Sequence, residues 1–272
     1  MDDRTIGVLG GGQLGQMMAQ AASRLGVRIA VLDPGGSSSP AGQLSHLCIE
    51  GSFQDSVKIK ELSTVSDVIT TEIEHVNTII LEELEKLGHT VHPNAITIRT
   101  IQDKYLQKEL LNKNNIPLPE YMSTPTLEIA QEAGLRFGYP FMLKNRKLAY
   151  DGKGNAVVKS ADELENCFNK LGREELYAEK WVSFVKELAV MVVRTKDSVV
   201  AYPVVETIQS NNICHLVIAP AQISSAAYSA AMSVASKAIE SFSGIGIYGV
   251  ELFLLNDETI LLNEIAPRYP IC

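Results

Sequence analysis

The sequence predicts an α/β protein in which a parallel sheet covered by helices is followed by a two-part α+β region. Three observations support this fold class. Strand and helix patterns alternate over the first 93 residues, a small module of two helices and three strands follows, and strands predominate from residue 187 onward. A hydrophobic fraction of 46% over 272 residues is ample for buried cores.

The first predicted unit ends near Pro93. An apolar, β-rich run at residues 5–9 ends at Gly10, and apolar side chains then recur at helical spacing, which predicts a strand, a glycine turn and a helix. Further strands are predicted at 27–32, 68–71 and 90–92, and a helix at 79–87. Because Pro93 closes the last of these strands, we place a domain boundary there.

The second part of the chain is predicted to open with a helical stretch from Asn94 that ends before Pro117 and Pro119. Helices are then predicted at 126–137, 161–171 and 224–242, and strands at 141–144, 155–159, 176–181, 188–193, 199–204 and 213–218. The last two strands, at 248–255 and 260–264, are predicted to form a hairpin around Asp257 and Glu258.

Composition excludes several classes of protein. The net charge of -8 and a pI near 5.2 argue against nonspecific nucleic-acid binding. No apolar run approaches the roughly 20 residues of a membrane helix, and the amino terminus shows no apolar signal segment. The four cysteines are scattered, without the spacing of a zinc site or a disulfide framework. We therefore expect a cytoplasmic protein with neither a nucleic-acid nor a membrane partner.

A glycine-rich turn follows the first predicted strand. Residues 10–15 read Gly-Gly-Gly-Gln-Leu-Gly and fit GxGxxG, where backbone N–H groups at a helix start can meet an anionic or polar ligand. Asp33, about 20 residues further on, would suit the ribose of a dinucleotide. Alone, this pattern indicates an NAD-dependent dehydrogenase. The same glycines also suit a tight turn with no ligand, so the rest of the chain must decide.

Two lysines on separate modules indicate polyphosphate binding. Lys104 lies near a helix start and Lys144 ends an apolar strand, so together they could clamp one phosphate chain. The glycine-bearing tip at 150–155 could fold over phosphates or be an ordinary turn. The connector at 177–182 could bind an adenine-like ring, and Glu187 could bind ribose hydroxyls. The alternative for these charges is a solvated strand edge.

Two glutamates in the last hairpin give the sharpest local prediction. A symmetric register pairs Leu255 with Ile260 and Glu251 with Glu264. Directly opposed side chains have Cβ atoms roughly 4.5 to 5.5 Å apart, where like charges repel. A divalent cation would reverse that repulsion, and oxygen-only ligands suit Mg²⁺. As an alternative to a cation, salt bridges or tilting of the side chains into water would relieve the repulsion between the two glutamates.

The order of these features resembles the ATP-grasp superfamily. Within it, residues 10–15, 71–76 (Thr-Glu-Ile-Glu-His-Val), 148–152 (Leu-Ala-Tyr-Asp-Gly) and 263–268 (Asn-Glu-Ile-Ala-Pro-Arg) look like the enzymes that carboxylate 5-aminoimidazole ribonucleotide in purine synthesis, most of all the fungal form. The resemblance covers residues 4 to about 268. It implies a Rossmann-like pre-ATP-grasp domain at 1–93 and a two-lobed α+β ATP-grasp domain at 94–272, with a small lobe at about 123–182.

The resemblance also implies a role for individual residues. The expected ATP-binding residues are Lys104, Lys144, Tyr150, Gly152, Gly154, Glu179, Lys180, Trp181, Val182, Glu187, Gln209, Asn263 and Glu264. The expected ribonucleotide-binding residues are Gly12, Gln13, Leu14, Glu72, Tyr150 and Asp151. The expected catalytic residues are Asp151, Lys153 and Arg268. Glu251 and Glu264 are the expected Mg²⁺ ligands.

The implied reaction uses ATP, Mg²⁺ and bicarbonate, with carboxyphosphate as the intermediate that carboxylates the ribonucleotide amine. The implied partners are small molecules, with a homodimer as an open option. Lys153 stands where relatives often carry arginine. After Arg268 the family continues with a Pro-His-Asn-Ser-Gly-His segment and a further small domain, so we expect a truncated chain. An ATP-binding fragment without turnover is therefore a second hypothesis.

Overall fold

The computed structural model describes residues 4–148, 154–172, 175–210 and 213–269. Its first part is a parallel sheet of order β3-β2-β1-β4 with helices packed on it. The elements are β1 (Thr5–Leu9), α1 (Gln13–Leu25), β2 (Arg28–Asp33), β3 (Leu47–Glu50), α2 (Ser56–Thr64), β4 (Val68–Thr71) and α3 (Thr78–Lys86). β3 and α2 have no counterpart in the predicted elements, and the predicted strand at 90–92 is reduced to a single parallel bridge between Val91 and Ile69.

Local sequence explains where these helices start and stop. Asp55 and Asn77 accept hydrogen bonds from the first free N–H groups of α2 and α3. Gly26 takes a left-handed conformation with φ of 70° and ends α1. The apolar faces of α2 and α3 bury Ile59 and Leu81 against the sheet.

Two helices, α4 (Ala95–Gln102) and α5 (Lys104–Lys113), connect the parallel sheet to the rest of the chain. Asp103 separates them because its backbone is extended and its carboxylate caps α5, so the predicted helical stretch is broken. A small antiparallel sheet of order β5-β8-β6-β7 follows. Its elements are β5 (Tyr121–Ser123), α6 (Leu127–Phe137), β6 (Phe141–Asn145), β7 (Asn155–Val158), α7 (Ala161–Lys170) and β8 (Leu176–Lys180).

The last part is a larger antiparallel sheet of order β12-β11-β9-β13-β14, with β10 paired to β9. Its elements are β9 (Phe184–Arg194), β10 (Val199–Ala201), β11 (Val205–Ser210), β12 (Ile213–Ile218), α8 (Ser225–Glu240), β13 (Gly246–Leu255) and β14 (Ile260–Ala266). The strand predicted at 199–204 is confirmed only over β10, residues 199–201, and β11 has no counterpart among the predicted strands. Helix α8 buries a row of alanines at spacings of three and four residues against this sheet.

The register of the β13–β14 hairpin differs from the symmetric prediction. Leu254, rather than Leu255, pairs with Ile260, and a bulge beside Glu251 shifts the register by one residue. Asn263 is the extra residue. Beyond this bulge the two strands return to the predicted register, so the predicted pairing of Glu251 with Glu264 is confirmed.

The α/β class predicted from the sequence is confirmed by these three sheets. Among the helices of the described residues, none is long and apolar enough to cross a membrane.

Candidate functional site

Helix α5 carries the first part of the candidate site. Lys104, at its first turn, places its Nζ 2.6 Å from Oε2 of Glu264 on β14. Burial opposes ionisation of Glu264, but the charge of Lys104 prevails and lowers the pKa of that carboxyl. Burial likewise opposes the charge of Lys104, and Glu264 nevertheless raises the pKa of the lysine. The pair is therefore charged when no ligand is present.

Gln107 fixes this helix against the sheet. Its Nε2 donates to the carbonyl of Ile265, and the N–H of Ile265 donates to its Oε1, both at 3.0 Å. The side-chain amide thus pairs with β14 as another strand would. This docking holds Lys104 beside Glu264 because Ile265 follows Glu264 directly.

A buried triad of charges lies one helical turn further on. Glu179 of β8 accepts from Lys144 at 2.8 Å and forms an ion pair with Lys108 at 2.6 Å. The side chains of Lys108 and Glu179 are each 3% exposed. Although burial opposes ionisation, the two lysines lower the pKa of Glu179 to about 2. The Glu179 side chain, which is predicted to lie at an adenine, contacts both lysines in the structure.

Sequence reasoning missed Lys108. The signal was available, because Lys104 and Lys108 are four residues apart and lie on the same helix face. The sequence could not show that Glu179 is the partner of Lys108, because Glu179 lies on β8 and meets α5 only in the folded chain.

Glu251 adds negative charge to the group of charged side chains around Lys104, which also contains Glu74 and Glu264 and is called the cleft below. Its Oε2 accepts a hydrogen bond of 3.3 Å from Nδ2 of the bulged Asn263. Desolvation within the cleft and the nearby charge of Glu264 raise the pKa of Glu251 to about 7, and the same two causes raise that of Glu74 to about 7. Glu187, on the neighbouring strand β9, has its pKa raised by burial and accepts a hydrogen bond from Gln209.

This charge distribution suits a divalent cation. Three carboxylates, Glu74, Glu251 and Glu264, lie close enough to Lys104 to act on its charge. Burial and mutual repulsion raise the pKa of Glu74 and of Glu251, so a cation would relieve their repulsion. In the described part of the chain, no three His, Cys, Asp or Glu side chains are arranged to hold a metal by themselves. Glu251 and Glu264 therefore fit Mg²⁺ if a ligand's phosphate oxygens or water complete the coordination.

Four more residues expected near ATP lie in or next to the strands of the small antiparallel sheet. Lys180 ends β8 and pairs with Glu120, and Trp181 is 43% exposed. Val182 follows in the connector to β9, and the carbonyl of Gly154 accepts from the N–H of Asn145 at 2.8 Å. The four expected residues Tyr150, Asp151, Gly152 and Lys153 lie outside the described residues.

The glycine-rich loop is occupied by side chains of the protein. Glu72 accepts from the N–H groups of Gly12, at 2.6 Å, and Gly15. Asp33 accepts from Gly11 at 2.8 Å and from Gly35 at 2.7 Å. A Cβ on Gly12 would lie 2.6 Å from the Glu72 carboxylate, so the close approach itself requires glycine.

These contacts speak against the dinucleotide interpretation of the loop. The helix-start N–H groups that would bind a pyrophosphate already have carboxylate acceptors, and both oxygens of Asp33 are used within the loop.

Residues after β14 connect the loop to the charged cleft. The hydroxyl of Tyr269 donates to the carbonyl of Leu14 at 2.6 Å, and Gln13 beside it is exposed. A guanidinium nitrogen of Arg268 lies 3.7 Å from Oε1 of Glu74. The charge of Glu264 raises the pKa of Glu74, and the charge of Lys104 lowers it. Arg268 and the expected ribonucleotide-binding residues of the loop thus border the same cleft as the lysines. Glu74 is a second residue that sequence reasoning missed.

Comparison with known proteins identifies the family. The ATP-grasp domain profile matches residues 109–269, and the ribonucleotide synthetase pre-ATP-grasp profile matches residues 3–102. Phosphoribosylaminoimidazole carboxylase of Candida glabrata is 47% identical over 98% of this chain and 48% of its own length. N5-carboxyaminoimidazole ribonucleotide synthase of Staphylococcus saprophyticus is 31% identical over 97% of this chain and 70% of its own. The chain thus spans about half the length of the fungal relative.

Solved structures agree with these matches. Carboxyaminoimidazole ribonucleotide synthase from Aspergillus clavatus, complexed with ATP, superposes with a TM-score of 0.93 at 45% identity, covering 99% of this chain and 71% of that one. The synthase from the same fungus in complex with ADP and 5-aminoimidazole ribonucleotide gives 0.92 at 44% identity, covering 98% and 70%. The ATP-grasp fold implied by the motifs is confirmed. The chain belongs to the ATP-grasp family and, within it, to the N5-carboxyaminoimidazole ribonucleotide synthases.

Proposed function

We propose that this chain is an ATP- and bicarbonate-dependent ligase that carboxylates 5-aminoimidazole ribonucleotide in purine synthesis, in the cytoplasm. The observation that carries this proposal is that Lys104 of α5 and Lys144 of β6 both lie near Glu264, which pairs with Glu251 in the β13–β14 hairpin. The names and bound ligands of the relatives supply the chemistry. In this proposal the pre-ATP-grasp unit is residues 1–93 and the ATP-grasp unit residues 94–272, and a homodimer stays a prediction.

The nucleotide would lie between the two antiparallel sheets. Its phosphates would take Lys104 and Lys144 from their glutamate partners, while Glu251 and Glu264 would hold Mg²⁺. Bound there, the cation neutralises phosphate charge and favours transfer of the γ-phosphoryl group. The connector at 179–182 would face the adenine.

The other nucleotide contacts would come from three polar side chains. Glu187 and Gln209, which are hydrogen-bonded to each other, would face the ribose. Asn263 would reach a phosphate oxygen from the bulge.

The ribonucleotide would occupy the end of the cleft next to the glycine loop. Gly12, Gln13, Leu14 and Glu72 would lie on one side of it and Arg268 on the other. A guanidinium suits a phosphate or a carboxylate because it offers several donors in one plane. Tyr150, Asp151 and Lys153 stay predicted contributors from outside the described residues.

The proposed reaction has two steps. A bicarbonate oxygen attacks the γ-phosphorus of ATP, so that ADP leaves and carboxyphosphate forms. The ribonucleotide amine then attacks the carboxyl carbon, phosphate leaves, and the amine loses a proton to give the N5-carboxy product. Arg268 would stabilise the charge that develops at the transferred groups. The positioning of both reactants and the exclusion of water provide the rate enhancement, because carboxyphosphate hydrolyses readily.

The test is release of ADP and phosphate from ATP in the presence and absence of bicarbonate and 5-aminoimidazole ribonucleotide. We expect release that requires bicarbonate, is stimulated by the ribonucleotide, and is lost in Glu264→Ala. Glu82→Ala is the matched control, because this glutamate of α3 binds Lys86 and Arg99 rather than the charged groups around Lys104. ATP binding without any release would instead establish the second hypothesis, a nucleotide-binding chain without turnover.

A further inference from the structure

We propose that Asp103 and Arg146 are positioning residues whose ion pair sets the spacing of Lys104 and Lys144 for the terminal phosphates of the nucleotide. This inference rests on the proposed function. It gives a role in that function to two residues that contact neither ATP nor the ribonucleotide in the proposed arrangement.

The ion pair is bidentate, and it joins a buried carboxylate to a partly buried guanidinium. Nε of Arg146 donates to Oδ1 of Asp103 at 3.0 Å and Nη2 donates to Oδ2 at 2.8 Å. Asp103 is 1% exposed. The same carboxylate caps α5, because its Oδ1 accepts from the N–H groups of Tyr105 and Leu106 at 3.1 Å each. Asp103 is therefore an acceptor for both the helix start and the guanidinium.

The backbone repeats the connection. The N–H of Lys104 donates to the carbonyl of Arg146 at 2.8 Å. One side-chain ion pair and one main-chain hydrogen bond thus join the start of α5 to the end of β6, and together they form what we call the junction. Because Lys104 follows Asp103 and Lys144 precedes Arg146 by two residues, each lysine is attached within two residues to one half of this junction.

The surroundings of Arg146 keep its guanidinium in one orientation. The guanidinium carbon lies 5.0 Å from the centre of the Tyr105 ring, and the backbone N–H of Arg146 donates to the carbonyl of Glu175 at 3.1 Å. The carboxylate of Glu175 and the ammonium of Lys147 lie 3.8 Å from Arg146 and Asp103, respectively. A lysine at position 146 would retain the charge but lose the planar, two-point contact.

The role can be separated from simple stability. The junction holds groups proposed to bind phosphates, whereas the proposed adenine and ribose contacts come from the connector after β8 and from β9 and β11. Weakening the junction should therefore reduce affinity for MgATP and spare affinity for AMP, which lacks the β- and γ-phosphates. A general loss of structure would weaken both nucleotides alike.

The experiment measures the dissociation constants of MgATP and AMP for the wild type, Arg146→Lys, Asp103→Asn and the double variant by titration calorimetry. Asn is itself a good helix cap, so Asp103→Asn removes the charge pair while keeping the start of α5. We expect MgATP to bind at least about tenfold more weakly in each variant, with AMP affinity unchanged. Because both single substitutions break one junction, the double variant should be no weaker than the weaker single variant.

Arg99→Lys is the matched control, since Arg99 of α4 binds Glu82 of α3 at 2.7 Å and contacts neither Asp103 nor Arg146 in this ion pair. Unchanged MgATP affinity in Arg146→Lys and Asp103→Asn, or an equal loss for MgATP and AMP, would overturn the positioning role while leaving the proposed function intact. Failure of the wild type to bind MgATP would overturn the proposed function and this inference together.

Discussion

Two regions of the molecule offer hydrogen-bond donors or cations to a negatively charged ligand, and they use them differently. In the glycine-rich loop, the donors at the start of α1 are satisfied by Glu72 and the adjacent loop by Asp33. In the cleft beside α5, each lysine also has a carboxylate partner, yet carboxylates outnumber the cations around Lys104. The N–H groups of the loop named above already have acceptors within the chain, whereas the three carboxylates around Lys104 favour a further cation.

The difference shows that a motif does not identify a ligand site by itself. GxGxxG predicts backbone donors at a helix start, but their acceptor can be a side chain 60 residues away, here Glu72 just after β4. The proposed function requires exchange in the charged cleft: Lys104 would pass from Glu264 to a phosphate, and Lys144 from Glu179, while Mg²⁺ would replace Lys104 at Glu264. The predictions below test this contrast, from the largest expected effect to the smallest.

Removal of Glu264 should have the largest effect on nucleotide binding. We expect Glu264→Ala to reduce MgATP affinity about 100-fold or more, because it removes a proposed cation ligand and leaves Lys104 without its partner. Calorimetric titration with MgATP measures the change, with Glu82→Ala as the control of equal charge. MgATP affinity within twofold of the wild type in Glu264→Ala would remove this carboxylate from the site.

Lys108→Met should have the largest effect on stability. It leaves Glu179 with one of its two cationic partners in a buried position, which costs about 3 to 5 kcal/mol in the free energy of unfolding. Urea unfolding measures the loss, and Lys58→Met, at an exposed pair with Glu61, should be nearly neutral. Equal stability of the two variants would contradict the importance of the buried triad.

The same triad predicts a dependence on acid pH. The pKa of Glu179 falls from 4.5 in the unfolded chain to about 2 in the folded protein. Its contribution to stability is therefore fully present above pH 4.5 and is lost as the pH falls toward 2. Lys108→Met should flatten this part of the curve of unfolding free energy against pH, and a curve parallel to that of the wild type would contradict the assignment.

Glu251→Gln should produce opposite effects on stability and on binding. The pKa of Glu251 rises from 4.5 to about 7 on folding, so ionisation lowers the stability of the metal-free protein as the pH rises between those values. The variant should gain melting temperature relative to the wild type at pH 8 but not at pH 4.5, measured with a chelator present, and should bind MgATP more weakly. An equal gain in melting temperature at both pH values would show that ionisation of Glu251 does not lower the stability of the folded protein.

Tyr269→Phe should have the smallest effect. It removes the hydroxyl that donates to the carbonyl of Leu14, which is worth about 1 kcal/mol of unfolding free energy. Urea unfolding measures the change, and MgATP affinity should stay the same because this contact lies at the glycine-loop end of the cleft. A loss of MgATP affinity would show that the two regions are coupled more tightly than their contacts indicate.

Much of the fold followed from local patterns. Alternation of strand and helix signals predicted the parallel sheet, and period-two patterns predicted most strands of the larger antiparallel sheet. Helix α2 was missed because its nine residues bury only Ile59, Leu62 and Ser63, which is a weak helical pattern. The pairing of Glu251 with Glu264 was predicted from the wrong register, and it holds because the bulge at Asn263 corrects it.

The candidate site could be predicted only one residue at a time. Lys104, Lys144 and Glu264 carry local signals, such as a charge that closes an apolar strand. Their partners are set by tertiary packing, because Glu179 reaches Lys108 across 71 positions of the chain and Arg146 reaches Asp103 across 43. No local pattern reports contacts at such separations, so the buried triad and the junction at α5 become visible only in the folded chain.

The most direct test of the central claim is a crystal structure of the chain with Mn²⁺ and a non-hydrolysable ATP analogue, in which anomalous scattering locates the metal. We expect the Mn²⁺ peak at about 2.1 to 2.2 Å from carboxylate oxygens of Glu251 and Glu264, with the analogue's phosphates beside Lys104 and Lys144. Phosphates bound at the glycine-rich loop, or a metal remote from both glutamates, would contradict the claim.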